Sequence, residues 1–257
     1  GSTDTYQLML ANEVDTCAPS AVSMAIAMEG DGEWNGQKIE DQLMWTATFP
    51  EYYYILTTAG SKAETFDDLQ GKKVSIGTQG SGYYTCSMRF FKELGIDPDE
   101  YFDLVYLGVD DATSALQEGS LDAFMYLVGN STNVSQLAES SSGVKLISFS
   151  DEQIQTLLDK DPYLQKQTIP AGTFKGVDED YVTVGDSASM VSLESTNVPD
   201  EVVYDFVKTI NEHHDEIAVV NQNFENITAQ ATVDAFYGVV KFHPGAEKYY
   251  REIGLIQ

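Results

Sequence analysis

Basic residues are scarce in this 257-residue chain. Lys and Arg number 14 against 41 Asp and Glu, for a formal charge of −27, and only Arg89 and Arg251 are arginines. Such a chain has no clustered cations to neutralise phosphates, which argues against nucleic acid and anionic membranes as partners. The acids are scattered rather than blocked, the pattern of a strongly solvated surface on a secreted or salt-exposed protein. Cysteine is nearly absent. Cys17 and Cys86 lie far apart, with no C-x-x-C and no Cys/His cluster, so they read as two small buried thiols, a disulfide being left open. Long apolar runs are missing too. Nothing approaches the roughly 20 residues of a membrane span, so no stable membrane insertion is expected. No signal-peptide pattern is present either, which implies a cytoplasmic chain or one that has lost its targeting segment. Histidine occurs three times. His213 and His214 are adjacent, so on a helix they diverge by about 100° and cannot share a site. His243 precedes Pro244 in a loop, and all three read as surface or helix-end residues. No serine sits in a G-x-S-x-G elbow, and Cys86 falls in a helical pattern without a base. No enzyme is legible, and neither metal nor cofactor is expected.

What is present is globular. Hydrophobic residues make up 42% and aromatics 11%, enough for one large core or two lobes of ordinary size. Strand patterns alternate with helical ones, which predicts mostly parallel sheets flanked by helices. The expected strands include Leu104–Leu107, Val144–Phe149 and Tyr181–Ser192, the last interrupted at Gly185. Helices are expected over Ala112–Glu118, Asp151–Leu158, Asp200–His213, Thr228–Val239 and Gly245–Ile253. A faint repeat joins LMLANEVDTCA (Leu8–Ala18) to LQEGSLDAFM (Leu116–Met125). Each is a helix end, a residue tolerant of the left-handed cap (Asn12, Gly119), an Asp and an apolar strand. The repeat suggests two similar α/β lobes.

The segment Lys73–Thr85, KVSIGTQGSGYYT, carries the most information. Lys73–Ile76 alternates as a strand, Gly77, Gly80 and Gly82 permit a tight turn, and an amphipathic helix follows from Tyr83 to Leu94. Such a corner aims free N–H groups and the positive end of the helix dipole out of the strand's carboxyl end, where an anion binds. Thr78, Gln79 and Ser81 add hydrogen bonds without charge. The spacing is neither that of a P-loop nor G-x-G-x-x-G. A glycine turn with nothing bound is the alternative. Arg89, one and a half turns along, is expected to face solvent or pack sideways, leaving the anion to N–H groups and the Ser81 hydroxyl. In Phe49–Tyr54, strand alternation puts Tyr52 and Tyr54 on one face and Tyr53 on the other. One of them is a candidate wall for a ligand, core packing being the alternative.

Five ordered blocks then carry a resemblance. GSTDTYQLMLANEVD resembles the G-S-x-x-N-x-x-x-L-x-x-G-E-x-D stretch of TAXI-type substrate-binding proteins of TRAP transporters. GKKVSIGTQGSGYYT is similar to that family's G-K-x-V-x-x-G-x-x-G-S-G-T/Y, and LQEGSLDAFMYLVGNST to its L-x-x-G-x-x-D-A-F segment. IPAGTFKGVDEDYVTVG and HPGAEKYYREIG resemble later family segments. The resemblance implies an α/β, two-lobed type II periplasmic-binding-protein fold with an interlobe ligand cleft. Residues 1–53 and 189–257 would form lobe I and 54–188 lobe II, with hinges near Tyr54–Thr57 and Gly185–Met190. It implies capture of a small organic acid or amino acid, glutamate-like or a dicarboxylate, and delivery to TRAP permease membrane subunits. The location implied is periplasmic or extracellular and membrane-anchored, with lipid attachment left open. The expected ligand residues are Thr78, Gln79, Gly80, Ser81, Gly82, Tyr83 and Tyr54. Gly129 and Asn130 would lie on the far side of the cleft from Ser81, and Ser20 would lie at a strand end facing it. The chain departs from the family pattern at Pro19–Val22, where a Gln-Ser-Asp-like run is usual, and at Phe174, where Tyr is common. The family's opening strand, helix and strand are expected ahead of Gly1, so the 257 residues are read as part of a longer mature protein. An enzyme on the same bilobal fold and a ligand-sensing module are the alternative readings.

Overall fold

Two strands of unusual length organise the chain. The computed structural model describes residues 2–129, 131–220, 223–224 and 228–257. It divides into two compact units, Gly1–Glu51 with Asp186–Gln257, and Tyr52–Gly185.

The first unit opens with α1 (Ser2–Leu10) and β1 (Thr16–Cys17). Asn12, at φ 55°, makes the left-handed turn between them. α2 (Ala21–Glu29) begins at Ser20, whose hydroxyl accepts from Ser23 N–H. Seven consecutive residues of α2, Ala21–Ala27, are buried; a helix apolar on every side has no solvent face to offer. The chain then enters β2 (Gln42–Thr57), a 16-residue strand with Met44 and Trp45 buried in this unit's core alongside Tyr6, Met9 and Met24.

The second unit takes up β2 at Tyr52. It continues through β3 (Lys73–Ser75), α3 (Gly82–Leu94), α4 (Pro98–Tyr101), β4 (Asp103–Val105), α5 (Val109–Glu118) and β5 (Ala123–Val128). Next come α6 (Thr132–Glu139), β6 (Lys145–Leu146), α7 (Asp151–Lys160), β7 (Gln165–Ile169) and the start of β8 (Tyr181–Leu193). β3 lies between β4 and β5 and runs parallel to both. β2 pairs antiparallel with β5 and with β6, and β7 with β8. Tyr54, Leu56, Leu116, Phe124 and Leu137 form the centre of this unit's core.

The remaining elements return to the first unit. β8 pairs antiparallel with β1 through Val191 and Ser192. It is followed by α8 (Asp200–Glu212), α9 (His214–Val220), α10 (Ala229–Phe236) and α11 (Pro244–Glu252). Gly245 lets α11 approach α8 closely, since a Cβ there would stand 2.1 Å from the Asp200 carbonyl oxygen.

Several sequence expectations change. Among the described residues β3 pairs parallel with β4 and β5, whereas β2 pairs antiparallel with β5 and β6 and β8 with β1 and β7, and Met44 of β2 makes an isolated parallel bridge to Phe242. Gly185 does not interrupt β8; it sits in register opposite Gln165. Pairing of Val144–Phe149 is limited to Lys145 and Leu146 as a strand, after which Ile147 N–H bonds to the Ile55 carbonyl and the chain departs. His243 is buried, not on the surface. Its Nδ1 accepts from Gly245 N–H at the start of α11, and its Nε2 lies 3.1 Å from the Val198 carbonyl. Cys17 and Cys86 are free, buried thiols. No helix among the described residues is long and apolar enough to cross a membrane.

Candidate ligand-binding site

The second unit gathers its uncharged hydrogen-bonding groups at one edge. Because β3, β4 and β5 are parallel, the helices that follow them all start from the same carboxyl edge of the sheet. Ser81, Gly108 and Ser131 are the N-caps of α3, α5 and α6. Each helix leaves its first N–H groups without intrahelical acceptors and turns a partial positive charge toward that edge. Open α/β sheets take up small molecules at such edges.

The corner before α3 is built by one close approach. Gly77, at φ +96°, lies against the ring of Tyr83, and a Cβ there would come 1.9 Å from Tyr83 Cε2. Ser75 Oγ ties the corner down by accepting from Gly77 N–H (3.3 Å) and Leu107 N–H (3.1 Å). Ser81 Oγ accepts from Tyr84 N–H at 3.3 Å and donates to the Thr78 carbonyl at 2.7 Å. Thr78 and Gln79 are exposed, and Gly80 to Tyr83 are half-buried. The N–H groups of Gly82 and Tyr83, in the first turn of α3, have no intrahelical acceptor. Six of the expected ligand residues, Thr78 to Tyr83, therefore form one continuous corner.

Gly129 belongs to the same edge. It follows β5, whose neighbour is β3, and its carbonyl accepts from the Tyr54 hydroxyl at 3.4 Å. The Gly129 loop and the Ser81 loop thus leave adjacent strand ends and do not face each other across a cleft. Asn130 lies outside the described residues. Next to it, Ser131 caps α6 by accepting from Val134 N–H.

Tyrosines line this edge. Tyr54 stands opposite Tyr126 in the β2–β5 register, and Tyr52 opposite Val128. Tyr126 meets Tyr83 edge to face at 5.2 Å, and Tyr52 meets Tyr54 at 6.2 Å. Alternation along β2 holds, since Tyr53 packs on the other face against Phe90 and Phe149. Tyr54 itself is fully buried among Phe174 and Tyr181, while Tyr52, Tyr83 and Tyr126 keep exposed surface. Burial raises the phenol pKa of Tyr52 and Tyr54, so both stay neutral near neutral pH. Tyr126 went unnoticed in the sequence, although the apolar alternation of Ala123–Val128 could have placed it beside Tyr54.

Arg89 does not serve this corner. Its guanidinium is bonded to Asp161 at 2.6 Å and Glu93 at 3.1 Å, and Asp161 is wholly buried. Packed sideways, it leaves any anion at α3 to backbone and hydroxyl groups.

Ser20 sits elsewhere, in the first unit at the start of α2. There the helix N-terminus already holds an anion: Asp186 Oδ2 accepts from Val22 N–H at 2.8 Å. Ser20 Oγ donates to Ser23 Oγ at 2.9 Å. Ser20 thus belongs to the first unit and the α3 corner to the second. Among the described residues no group of His, Cys, Asp and Glu could hold a metal ion.

Solved structures share this α/β sheet. The periplasmic aliphatic sulphonate binding protein SsuA from Escherichia coli aligns at 15% identity and TM-score 0.51, over 98% of this chain and 66% of that one. A protein from Bordetella bronchiseptica RB50 aligns at 11% identity and TM-score 0.54, over 98% of this chain and 85% of that one. The alkanesulfonate-binding protein SsuA from Xanthomonas axonopodis pv. citri, bound to MOPS, aligns at 14% identity and TM-score 0.50, over 98% and 70%. At these identities the likeness establishes a common fold. The chain belongs to the NMT1-like family, whose model matches residues 1–254.

Proposed function

We propose that this protein is an extracytoplasmic solute-binding protein that captures a small organic anion and passes it to a membrane permease. The observation that carries the reading is the α3 corner. Thr78 to Tyr83 present backbone N–H groups, hydroxyls and an amide at a helix N-terminus, with no lysine or arginine in the segment. A carboxylate seated there would be held by the Gly82 and Tyr83 N–H groups and by the Ser81 hydroxyl once it turns from the Thr78 carbonyl, with Tyr83, Tyr126 and Tyr52 beside it as apolar surface. Uncharged donors at a helix end suit one compact anionic head, such as that of an organic acid or an amino acid. Family membership and the shared fold support binding over catalysis. The five sequence blocks support a TRAP permease as the membrane partner. The sulphonate ligands named for the two SsuA proteins favour one second reading, in which a sulfonate takes the place of the carboxylate.

Calorimetric titration with dicarboxylates, acidic amino acids and alkanesulfonates tests the class. A lost charge-assisted hydrogen bond is worth roughly 1.5–3 kcal/mol, so Ser81→Ala should weaken the best ligand by about ten- to a hundredfold. Arg89→Ala should leave affinity within a few-fold wherever the protein stays folded. Loss of binding in the Arg89 variant with none in Ser81→Ala would move the site away from this corner.

A further inference from the structure

His243 is 3% exposed, whereas the side chains of His213 and His214 reach solvent. Three parts of the first unit meet on it. Its backbone N–H donates to the Met44 carbonyl of β2 at 2.8 Å, and its carbonyl accepts from Glu247 N–H of α11 at 2.9 Å. Its ring meets Trp45 of β2 edge to face at 6.0 Å. Nε2 lies 3.1 Å from the Val198 carbonyl, just ahead of α8, and Nδ1 lies 3.2 Å from Gly245 N in the first turn of α11.

These partners fix the role of each ring nitrogen. A carbonyl only accepts, so Nε2 carries a hydrogen, and a backbone N–H only donates, so Nδ1 is bare. The ring is therefore a neutral imidazole in its Nε2–H tautomer, acting as the N-cap of α11. A second proton would sit on Nδ1 and point at Gly245 N–H, donor against donor. It would also place a cation at the positive ends of two helices, α11 and α8, whose N-cap Pro199 directly follows Val198.

Little on the surrounding elements favours that cation. Beside the ring, β2 contributes Met44 and Trp45 and the first turn of α11 contributes Gly245 and Ala246, none of them titratable. Glu247 of α11 is paired with Arg251, and Lys241, two residues before the ring, with Glu194. Asp200, in the first turn of α8, is the charged group that acts on the ring. Its Oδ1 stands 3.9 Å from Nδ1, outside hydrogen-bond reach, and its side chain is 67% exposed, so its pull is screened. Burial outweighs it and, against the opposing effects of the Val198 carbonyl and Asp200, holds the ring below the ordinary histidine pKa.

We propose that His243 is an acid-sensitive latch: neutral, it ties β2 to the starts of α8 and α11, and protonated, it releases the α11 cap. The sign of the pH dependence follows from the depressed folded-state pKa. In the unfolded chain the ring takes up its proton near pH 6.5. The latch contributes fully above that pH, and its contribution is lost as pH falls from there through the folded-state pKa. Between the two values the ratio of folded to unfolded protein falls by up to about tenfold per pH unit from this group.

Thermal and urea unfolding of the full chain between pH 7.5 and 5, for wild type and His243→Asn, isolates the effect. Asn is a good N-cap whose side-chain oxygen accepts from the helix N–H groups, and it does not titrate in this range. The wild type should lose stability relative to the variant as pH falls below about 6.5. A difference that stays flat across the range would overturn the latch. A second measurement does not depend on how that variant folds. In a His213→Gln, His214→Gln protein, changed at side chains that reach solvent, His243 is the one histidine left of three. Long-range ¹H–¹⁵N NMR should show its Nε2–H tautomer at neutral pH and a protonation midpoint below about 6.5, with Gly245 N–H losing exchange protection at the same midpoint. An Nδ1–H tautomer, a midpoint at or above the ordinary value, or a Gly245 amide indifferent to it would each refute the assignment.

Discussion

At the scale of single residues, the α3 corner rests on Gly77. Positive φ alone is tolerated by glycine at many turns, but Gly77 also has the Tyr83 ring where a side chain would begin. Gly172 offers the comparison, with φ +79° and open space around its would-be Cβ. Gly172→Ala carries only the backbone strain, roughly 1–2 kcal/mol. Gly77→Ala carries that strain together with overpacking, about 1–3 kcal/mol more. Urea unfolding should therefore separate the two variants in that order. Gly77→Ala should also move Tyr83, the residue that supplies both an N–H and an aromatic wall to the proposed ligand. Equal destabilisation by the two variants would show that the ring yields at no cost and that the corner is not built on this contact.

At the scale of elements, the Arg89 ion network joins α3 to the end of α7. Asp161 caps α7 with no solvent exposure, accepts from Tyr163 N–H, and is bonded by Arg89. Removing the cation alone leaves a buried carboxylate uncompensated, so Arg89→Met should cost about 3–5 kcal/mol. Replacing Asp161 as well, as Arg89→Met with Asp161→Leu, should restore part of it, the loss of the Arg89–Glu93 pair remaining. Urea midpoints of the single and double variants check the coupling; additive losses would mean that the two side chains do not act together. The network also shows what could be read from the chain beforehand. The strand–glycine–helix corner, the Asn12 and Gly119 turns, and α8 and α11 with their prolines were legible because caps and turns are local chemistry. Strand direction was not, because whether β5 runs with β3 or against β2 depends on residues far apart in sequence. β7 escaped because Gln165–Ile169 is largely polar, and the first half of β2 because a fully buried strand has no alternation to show.

At the scale of the whole molecule, a charge of −27 on 257 residues is a standing repulsion that folding concentrates. The cations that are present work mostly in exposed pairs such as Lys175 with Glu139 and Lys38 with Glu40, and exposed pairs contribute little. Screening should therefore stabilise the fold. The Debye length is about 30 Å at 0.01 M salt and about 3 Å at 1 M, so repulsion among scattered acids is nearly removed over that range. The thermal midpoint should rise steeply at first with added NaCl and then level off. Choline chloride should act like NaCl at equal ionic strength, because the effect belongs to screening and not to a bound sodium ion. Removing exposed acids should have the same effect as salt. Glu33→Gln with Glu118→Gln, both at exposed positions, should raise the midpoint in dilute buffer and reduce the gain from salt. For Glu118 the helix dipole adds to the benefit, because this acid sits at the C-terminal end of α5. A midpoint that is unchanged or falls as salt increases would show that the acids are stabilised where they stand, and that the scattered charge is not a cost to the fold.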